Sequence, residues 1–297
     1  MKKRILYIGN NLTNPSFTAT YISFFSEVLK QEGYEVKTAS AKDNKILRLT
    51  DMLKLIWRNR KSTDLVLIDT YGAQNFYYAY STGKLCHRLG LPYIPILHGG
   101  NLPQRLRNSK ELCRELFSKA QLNIAPSRFL HDAFQAEGYH NLKIIPNSII
   151  LEDYPFKKRE NFAPKLLWVR RFQERYNPVL TVKVFEKLLK KYPEAELCMV
   201  GPEKDGSLRK CMVYAKEKNL PISFPGKMKK KEWAALSVDY DFFINSTDVD
   251  NTPISVIEAM ALGLPVVSTD VGGMPCLLYT SDAADEEDSV DLGGRRI

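Results

Sequence analysis

The sequence has few cysteines and no long hydrophobic run. It has five cysteines among 297 residues, and no two of them form a Cys-x-x-Cys pair. Wide spacing of this kind is typical of reduced, buried thiols in a cytoplasmic protein. No segment is long and apolar enough to predict a transmembrane helix. The opening Met-Lys-Lys-Arg leads into a short strand rather than the apolar core of a secretion signal, so we expect a cytoplasmic protein.

Two further absences narrow the functional class. The first predicted strand, Arg4–Gly9, continues into Asn-Asn-Leu-Thr, so the Gly-x-Gly-x-x-Gly loop of dinucleotide-binding dehydrogenases is missing. The stretch Lys227–Lys231 is compactly basic, but the sequence lacks the interleaved aromatic and basic residues of a nucleic-acid stacking surface. We therefore expect neither a dehydrogenase nor a nucleic-acid-binding protein.

The residues after Pro275 differ in composition from the rest of the chain. Residues 276–297 contain six acidic side chains and two arginines, so leaving them out raises the formal net charge from +9 to +13. Their sequence resembles the translation of a transposon-type sequencing adapter, and a natural acidic tail is the alternative. We expect that residues 276–297 are not native and that the protein is truncated after Pro275. The strongly basic remainder favours anionic partners such as nucleotide diphosphates or lipid head groups.

Short apolar strands alternate with amphipathic helices along the rest of the chain. Such alternation predicts an α/β protein with parallel sheets and right-handed crossovers. The pattern runs through residues 1–150, stops at a charged, proline-containing linker over residues 151–164, and restarts over residues 165–275. We expect two Rossmann-like parallel-sheet domains facing a cleft, the second incomplete, with ligands at the carboxyl ends of the strands.

The stretch from Asp250 to Gly273 carries the most specific pattern. Thr252 and Pro253 predict a capped helix start, whose free N–H groups and dipole favour an anion. Glu258 is an acid in an otherwise apolar helix, and a buried carboxylate needs a partner. A phosphate at the helix start and a hydroxyl-bearing group at Glu258 would satisfy both; a capped core helix with a solvated glutamate is the alternative.

This stretch resembles the donor-binding motif of the retaining glycosyltransferases of family 4, which have the GT-B fold. The family motif is an acid, seven residues, Glu-Ala-Met-Ala, a glycine, Pro-Val-Val and Val-Gly-Gly. The resemblance implies that Glu258 contacts the nucleotide ribose and that Asp250, where the family usually has glutamate, contacts the transferred sugar. It also implies donor contacts at the helix start, from Asn251, Thr252, Pro253 and Ile254.

A second strand end resembles the pyrophosphate-binding segment of the same family. The sequence Leu167–Phe172 is similar to the family strand that ends in Gly-Arg-Leu. Arg171 matches the family arginine, which would bind the donor pyrophosphate in a bidentate manner, and Arg170 stands in place of the glycine. The Lys-Gly pair that normally follows is replaced by Tyr-Asn, which leaves Arg175 as the nearest other cation.

Two other strand ends are similar to family positions. Gly201 lies in a turn that resembles those where the family backbone approaches the nucleotide. His98 resembles the histidine that faces the sugar and the acceptor, where an imidazole can hydrogen-bond a hydroxyl group. A structural histidine is the alternative at that position.

The resemblance implies a glycosyltransferase that moves a sugar from a nucleotide diphosphate sugar to a glycan or lipid-linked acceptor with retained configuration, in surface polysaccharide synthesis. The domain 1–150 would hold the acceptor and the domain 165–275 the donor. Neither a metal nor another cofactor is expected, because the donor phosphate is thought to take the acceptor proton. The basic charge also predicts peripheral contact with the inner face of the plasma membrane.

Two alternatives stay open. A non-catalytic GT-B-like protein could bind a nucleotide sugar, since the pyrophosphate motif is degraded. Less favoured is a metal-dependent glycosyltransferase that uses the Asp248-Val-Asp250 triplet. If the chain is truncated, residues 276–297 should pack poorly and apolar surface should be exposed around Val266 and Val267, which would leave the polypeptide unstable or inactive.

Overall fold

The computed structural model describes residues 2–11 and 21–278. The chain divides into two compact units, residues 1–146 and residues 147–297. Each unit is built on one parallel sheet flanked by helices, which confirms the predicted α/β class. In the described part of the chain, no helix combines the length and the apolar character that a bilayer span requires.

Unit 1 contains a six-stranded sheet in the order β2-β1-β3-β4-β5-β6. Its strands are β1 (Arg4–Ile8), β2 (Glu35–Ala39), β3 (Leu65–Thr70), β4 (Tyr93–Leu97), β5 (Asn123–Ala125) and β6 (Leu142–Ile144). Its helices are α1 (Tyr21–Gln31), α2 (Lys45–Asn59), α3 (Phe76–Arg88), α4 (Leu102–Asn108), α5 (Lys110–Phe117) and α6 (Arg128–Ala136). Because successive strand residues point to opposite faces, Leu6 and Ile8 of β1 join one core cluster, whereas Ile5 and Tyr7 join another.

Unit 2 contains a five-stranded sheet in the order β11-β10-β7-β8-β9. Its strands are β7 (Lys165–Val169), β8 (Glu196–Val200), β9 (Ile222–Gly226), β10 (Phe242–Asn245) and β11 (Val266–Ser268). Its helices are α7 (Pro178–Lys191), α8 (Ser207–Glu217), α9 (Lys230–Leu236), α10 (Ile254–Ala261) and α11 (Met274–Leu278), with 3₁₀ turns at Leu151–Asp153, Glu174–Tyr176 and Ser237–Asp239. Leu167 and Trp168 of β7 pack into the cores on opposite faces of the sheet.

The segment 151–164, predicted as a linker, falls within unit 2. Arg159 fastens it there, because its guanidinium donates hydrogen bonds to the backbone carbonyls of Ser237, Tyr240 and Leu262. These three carbonyls lie in or beside the ends of helical turns. Hydrogen bonds from one side chain to backbone carbonyls thus hold the segment on the body of unit 2.

The start of α10 differs from the prediction. Thr252 is not the N-cap residue, because the helix begins at Ile254 and Pro253 occupies the capping position with an extended backbone (φ −70°, ψ 119°). Proline fixes φ but leaves ψ free, so Pro253 can adopt this extended backbone and precede the helix instead of opening it.

The end of the described chain partly contradicts the expectation of poor packing. Leu277 and Leu278 are partly buried against the core of unit 2, so residues 276–278 include packed side chains. They belong to α11, whose apolar side faces that core. Val267 is 54% exposed, as predicted, whereas Val266 is partly buried. The rest of the tail, residues 279–297, lies outside the described residues.

Candidate functional site

The residues predicted to bind the sugar donor lie at the carboxyl ends of three neighbouring strands in unit 2. Strand β7 is followed by Arg170, β8 by Gly201 and β10 by the loop that leads to Asp250 and α10. All three strands are parallel neighbours, so their carboxyl ends lie at one edge of the sheet. This edge is where open α/β sheets bind their ligands.

Arg170 and Asp250 form a largely buried ion pair at this edge, between the Arg170 Nη2 and the Asp250 Oδ2 atoms. The Arg170 guanidinium also lies over the ring of Tyr176, 4.9 Å from its centroid. The other oxygen of Asp250 accepts a hydrogen bond of 2.8 Å from the backbone N–H of Asn251. Arg171, which matches the family arginine, is exposed. The structure therefore places Arg170, rather than Arg171, against Asp250.

Glycines hold the loops of this edge in backbone-to-backbone contact. A Cβ atom on Gly201, whose φ is 153°, would lie 1.6 Å from the Arg170 carbonyl oxygen. Cβ atoms on Gly272 and Gly273 would each lie 2.0 Å from a carbonyl oxygen, that of Asp250 and that of Asn251 respectively. Only residues without side chains fit these contacts, which fix the positions of Arg170 and Asp250.

Glu258 has partners inside unit 2. Its side chain is almost fully enclosed, with 4% of the residue exposed. Its Oε1 atom accepts hydrogen bonds from the Tyr154 hydroxyl (2.6 Å) and from the Lys230 ammonium group (2.7 Å). Burial and the neighbouring Glu258 raise the pKa of Tyr154, so its hydroxyl stays protonated and donates. The predicted need for a partner at Glu258 is thus met by two residues that the sequence pattern did not indicate.

Four buried polar atoms in or after β7 and β10 have no hydrogen-bond partner among the described residues. Three of them can donate, namely the Nε atoms of Arg170 and Arg175 and the hydroxyl group of Ser255 in α10, whereas the fourth, the Asn245 Oδ1 atom, can only accept. Arg175 lies 5.4 Å from the Tyr176 ring centroid, so two guanidinium groups contact the same aromatic ring. Buried donors without acceptors are uncommon in native proteins and indicate a place for an anion or a water.

The other residues that the resemblance predicts to contact the sugar donor lie around the start of α10. Asn251 and Pro253 are buried, whereas Thr252 and Ile254 are half-buried. The Thr252 carbonyl accepts a hydrogen bond of 2.9 Å from Asn147, which ties this loop to the first residues of unit 2.

In unit 1, His98 follows β4 and is held by neighbouring side chains. Its Nε2 atom lies 2.7 Å from the Asp69 Oδ1 atom, which also accepts a hydrogen bond of 2.9 Å from the Tyr7 hydroxyl. The imidazole stacks on Tyr71 with 5.2 Å between ring centroids and meets Tyr21 edge-on at 5.1 Å. Burial and Asp69 raise the pKa of Tyr21 to about 12. Sequence reasoning missed Asp69, although it lies near the carboxyl end of β3, where functional side chains are expected.

Asp69→Ala should destabilise unit 1 by about 3 kcal/mol, because the buried Tyr7 hydroxyl and His98 would both lose their acceptor. Urea unfolding measures this loss. Asp132→Ala is the matched control, since the pair of Asp132 with His131 is exposed and should change stability by less than about 0.5 kcal/mol. Equal effects of the two substitutions would show that the Asp69 cluster is not a stabilising network.

The two acids of the Asp-x-Asp triplet have different partners. Asp248 accepts a hydrogen bond of 2.9 Å from the Asn177 side chain, whereas Asp250 pairs with Arg170. Within residues 2–11 and 21–278, no group of three or more His, Cys, Asp or Glu side chains is arranged to hold a metal ion. Independence from metal stays a prediction.

Comparison with known families agrees with this geometry. Residues 152–279 match the family model described as Glycosyl transferases group 1. This region is similar to that family. The match contains the Arg170–Asp250 pair, Gly201 and Glu258, and it covers most of unit 2.

Part of the chain is similar in sequence to a human protein. One component of the human phosphatidylinositol N-acetylglucosaminyltransferase is 25% identical over 143 residues, which are 46% of this chain and 28% of the human protein. The matched part therefore spans less than a third of that relative.

Two solved structures share the fold across both units. Anabaena HepE in complex with UDP and glucose has a TM-score of 0.66 at 17% identity, and the sucrose-phosphate synthase of Thermosynechococcus elongatus has 0.72 at 15%. Each comparison covers 92% of this chain and 82% of the other. The architecture is that of the GT-B glycosyltransferases.

Proposed function

We propose that this protein transfers a sugar from a nucleotide diphosphate sugar to a glycan or lipid-linked acceptor, with retention of configuration. The observation that carries the proposal is the group of buried, unpartnered donor atoms on Arg170 and Arg175, which follow β7, and on Ser255 in the first turn of α10. Guanidinium groups and the start of an α-helix are the usual protein ligands of phosphate. The family match of this region and the UDP bound in the HepE structure support the same ligand class.

The proposed contacts follow from the position of each side chain. Arg171 and Arg175 would bind the pyrophosphate, Arg171 from its exposed position by turning toward the ligand. Glu258 would accept a hydrogen bond from the ribose through the carboxylate oxygen that is not bound to Tyr154 and Lys230. Gly201 would let the backbone approach the nucleotide.

The proposed chemistry needs positioning and charge stabilisation more than a dedicated base. The bond between the anomeric carbon and the phosphate oxygen breaks, the acceptor oxygen bonds to the same face of that carbon, and the acceptor proton passes to the departing phosphate. The arginines would stabilise the charge that develops on the pyrophosphate. Asp250 would contact the sugar, and His98 of unit 1 would hydrogen-bond a hydroxyl group of the sugar or the acceptor.

A non-catalytic nucleotide-sugar-binding protein is the second candidate. It is favoured by the state of Asp250, because Arg170 binds one carboxylate oxygen and the Asn251 N–H binds the other. An acid held in this way is less free to contact a sugar. Arg170 stands where the family motif has glycine, and a glycine there would have no side chain to pair with Asp250.

Product analysis separates the two candidates. The protein would be incubated with UDP-glucose, UDP-galactose or UDP-N-acetylglucosamine and a lipid or glycan acceptor, and the anomeric proton of the product would be observed by NMR. The proposal expects a product with the anomeric configuration of the donor. Saturable binding of the donor with no turnover would support the non-catalytic candidate, and an inverted product would contradict the proposed mechanism.

Nucleotide binding should not need a divalent metal. We expect the affinity for the nucleoside diphosphate to change by less than about twofold in EDTA, and Asp248→Ala to have a similarly small effect, because Asp248 is bound to Asn177 rather than directed at a ligand. Calorimetric titration in EDTA measures both. A loss of binding in EDTA that Mn²⁺ restores would instead favour the Asp-x-Asp metal site.

The proposed acceptor and the proposed location are supported by the net charge of the chain and by its similarity to a human protein. The formal charge of +13 outside residues 276–297 favours the anionic inner face of the plasma membrane, as a peripheral contact. The human relative is named as a phosphatidylinositol N-acetylglucosaminyltransferase, and the acceptor in that name is a membrane lipid. Synthesis of a surface polysaccharide from a lipid-linked acceptor is consistent with both.

A further inference from the structure

We propose that the outward surface of helices α2 and α3 in unit 1 binds an anionic phospholipid membrane. This α2–α3 surface contains a groove whose lining includes Leu53, Lys54, Trp57, Arg58, Lys84 and Arg88. The groove therefore combines apolar and basic side chains on one face of the unit. The inference rests on the peripheral membrane contact of the proposed function and names the surface that makes it, but it does not require the proposed sugar transfer.

Helix α2 has two apolar sides, and the core accounts for only one of them. Met52 and Ile56 are fully buried against the sheet. Ile46 and Trp57 lie eleven residues apart, which places them within about 20° of each other around the helix axis. They are 73% and 52% exposed, and the adjacent Leu47 is 58% exposed. Large apolar side chains grouped on an outer helix face indicate a binding surface.

The cations of the same surface are in excess over its acids. Lys54, Arg58 and Arg88 are exposed, and none of them forms an ion pair with an acid in the described part of the chain. Only Lys84 is neutralised, by Glu115 at 3.3 Å. The nearest acid on α2 is Asp51, which is half-buried and accepts a hydrogen bond from the Ser40 hydroxyl. The surface is therefore positively charged.

This composition fits a bilayer surface better than a small anion. An interfacial helix places tryptophan and aliphatic side chains among the acyl chains and keeps lysine and arginine at the phosphate level. Trp57 and Arg58 are neighbours in sequence, and the Trp57 ring is also covered by the Arg60 guanidinium, 4.3 Å from its centroid. The basic stretch Lys227–Lys231 of unit 2 differs, because its one apolar residue, Met228, packs against the core.

One end of the α2–α3 surface lies at the carboxyl edge of the sheet of unit 1. Helices α2 and α3 follow β2 and β3, so both begin at the carboxyl edge of the sheet, the edge at which His98 lies. The Tyr78 hydroxyl donates to the Lys45 carbonyl and joins the two helix starts there. Ile46 and Leu47 of the α2–α3 surface lie at this edge, which the proposed function assigns to the acceptor, whereas the groove lies along the second halves of the two helices.

Tryptophan fluorescence tests the contact directly in the whole chain. The protein has three tryptophans, and Trp168 and Trp233 are buried, so a change on binding reports Trp57. We expect a blue shift with vesicles of phosphatidylcholine containing about one third phosphatidylglycerol, and none with phosphatidylcholine alone. Trp57→Phe should abolish the shift. The proposal would be overturned if the anionic vesicles did not bind the protein, or if they bound it and left the spectrum unchanged.

Charge reversal with a matched control locates the surface. Lys54→Glu/Arg58→Glu and Lys227→Glu/Lys231→Glu change the net charge equally, but only the first pair lies on the α2–α3 surface. We expect the first pair to weaken co-sedimentation with anionic vesicles by about tenfold or more, and the second by less than about threefold. Equal losses, or a larger loss in the second pair, would show that overall charge or unit 2 mediates binding. Circular dichroism confirms that both variants are folded.

Discussion

Gly201→Ala should destabilise unit 2 by more than about 3 kcal/mol. The new methyl group would lie 1.6 Å from the Arg170 carbonyl oxygen, and a φ of 153° is in any case unfavourable for alanine. The contact is between two backbones, so no side chain can turn away to relieve it. The ends of β7 and β8 would have to separate, and the Arg170–Asp250 pair would separate with them. Urea unfolding measures the loss.

Gly206→Ala is the matched control for this prediction. Gly206 also has a positive φ, 87°, but a Cβ atom there would have no neighbour within 4 Å. Its substitution should cost only the backbone strain, about 1 kcal/mol. If the two alanine variants unfold at the same urea concentration, the close packing of Gly201 on Arg170 is not what stabilises this edge.

Glu258→Gln should weaken nucleoside diphosphate binding by about 100-fold, the equivalent of about 2.7 kcal/mol. Glutamine keeps the size of the side chain, and its amide oxygen can still accept a hydrogen bond from the Tyr154 hydroxyl. It lacks the negative charge that holds Lys230 and the carboxylate oxygen that would accept a hydrogen bond from the ribose. Lys230 is partly exposed and can be solvated when it loses its partner, so the stability of unit 2 should fall by no more than about 1 kcal/mol.

Tyr154→Phe separates the structural effect at this position from the binding effect. It removes one hydrogen bond to Glu258 and leaves the carboxylate and its ion pair with Lys230 in place. We expect a stability loss of about 1 kcal/mol with an affinity within about threefold of the unchanged protein. If Tyr154→Phe weakens nucleotide binding as much as Glu258→Gln, then Glu258 acts only through the packing of α10 and does not contact the ligand.

The secondary structure could be predicted because its signals are local. The regular apolar period of residues 46–58 and the charged turn that follows predict a helix, and α2 extends one residue further at each end. The short helix α4 has no such signal. Its seven residues carry a proline near the start and follow two glycines, so no periodic pattern marks it.

The partners of the site residues could not be predicted, because they are distant in sequence. Tyr154 lies 104 residues before Glu258 in the chain, and Arg170 lies 80 residues before Asp250. No periodicity or motif pairs them; the sheet order and loop packing do. The resemblance indicated Arg171 at a position where this chain has two consecutive arginines, and only the fold reveals that Arg170 turns toward Asp250.

Calorimetric titration of nucleoside diphosphates tests the central claim most directly. UDP, GDP and ADP would be titrated into the protein in EDTA, with single-stranded RNA as the competing polyanion and Glu258→Gln as the variant. The account predicts saturable binding of at least one of the diphosphates to one site, at an affinity that RNA does not match and that Glu258→Gln lowers about 100-fold. If no diphosphate binds the folded protein, or if the variant binds it equally well, the carboxyl edge of unit 2 is not a nucleotide-sugar site.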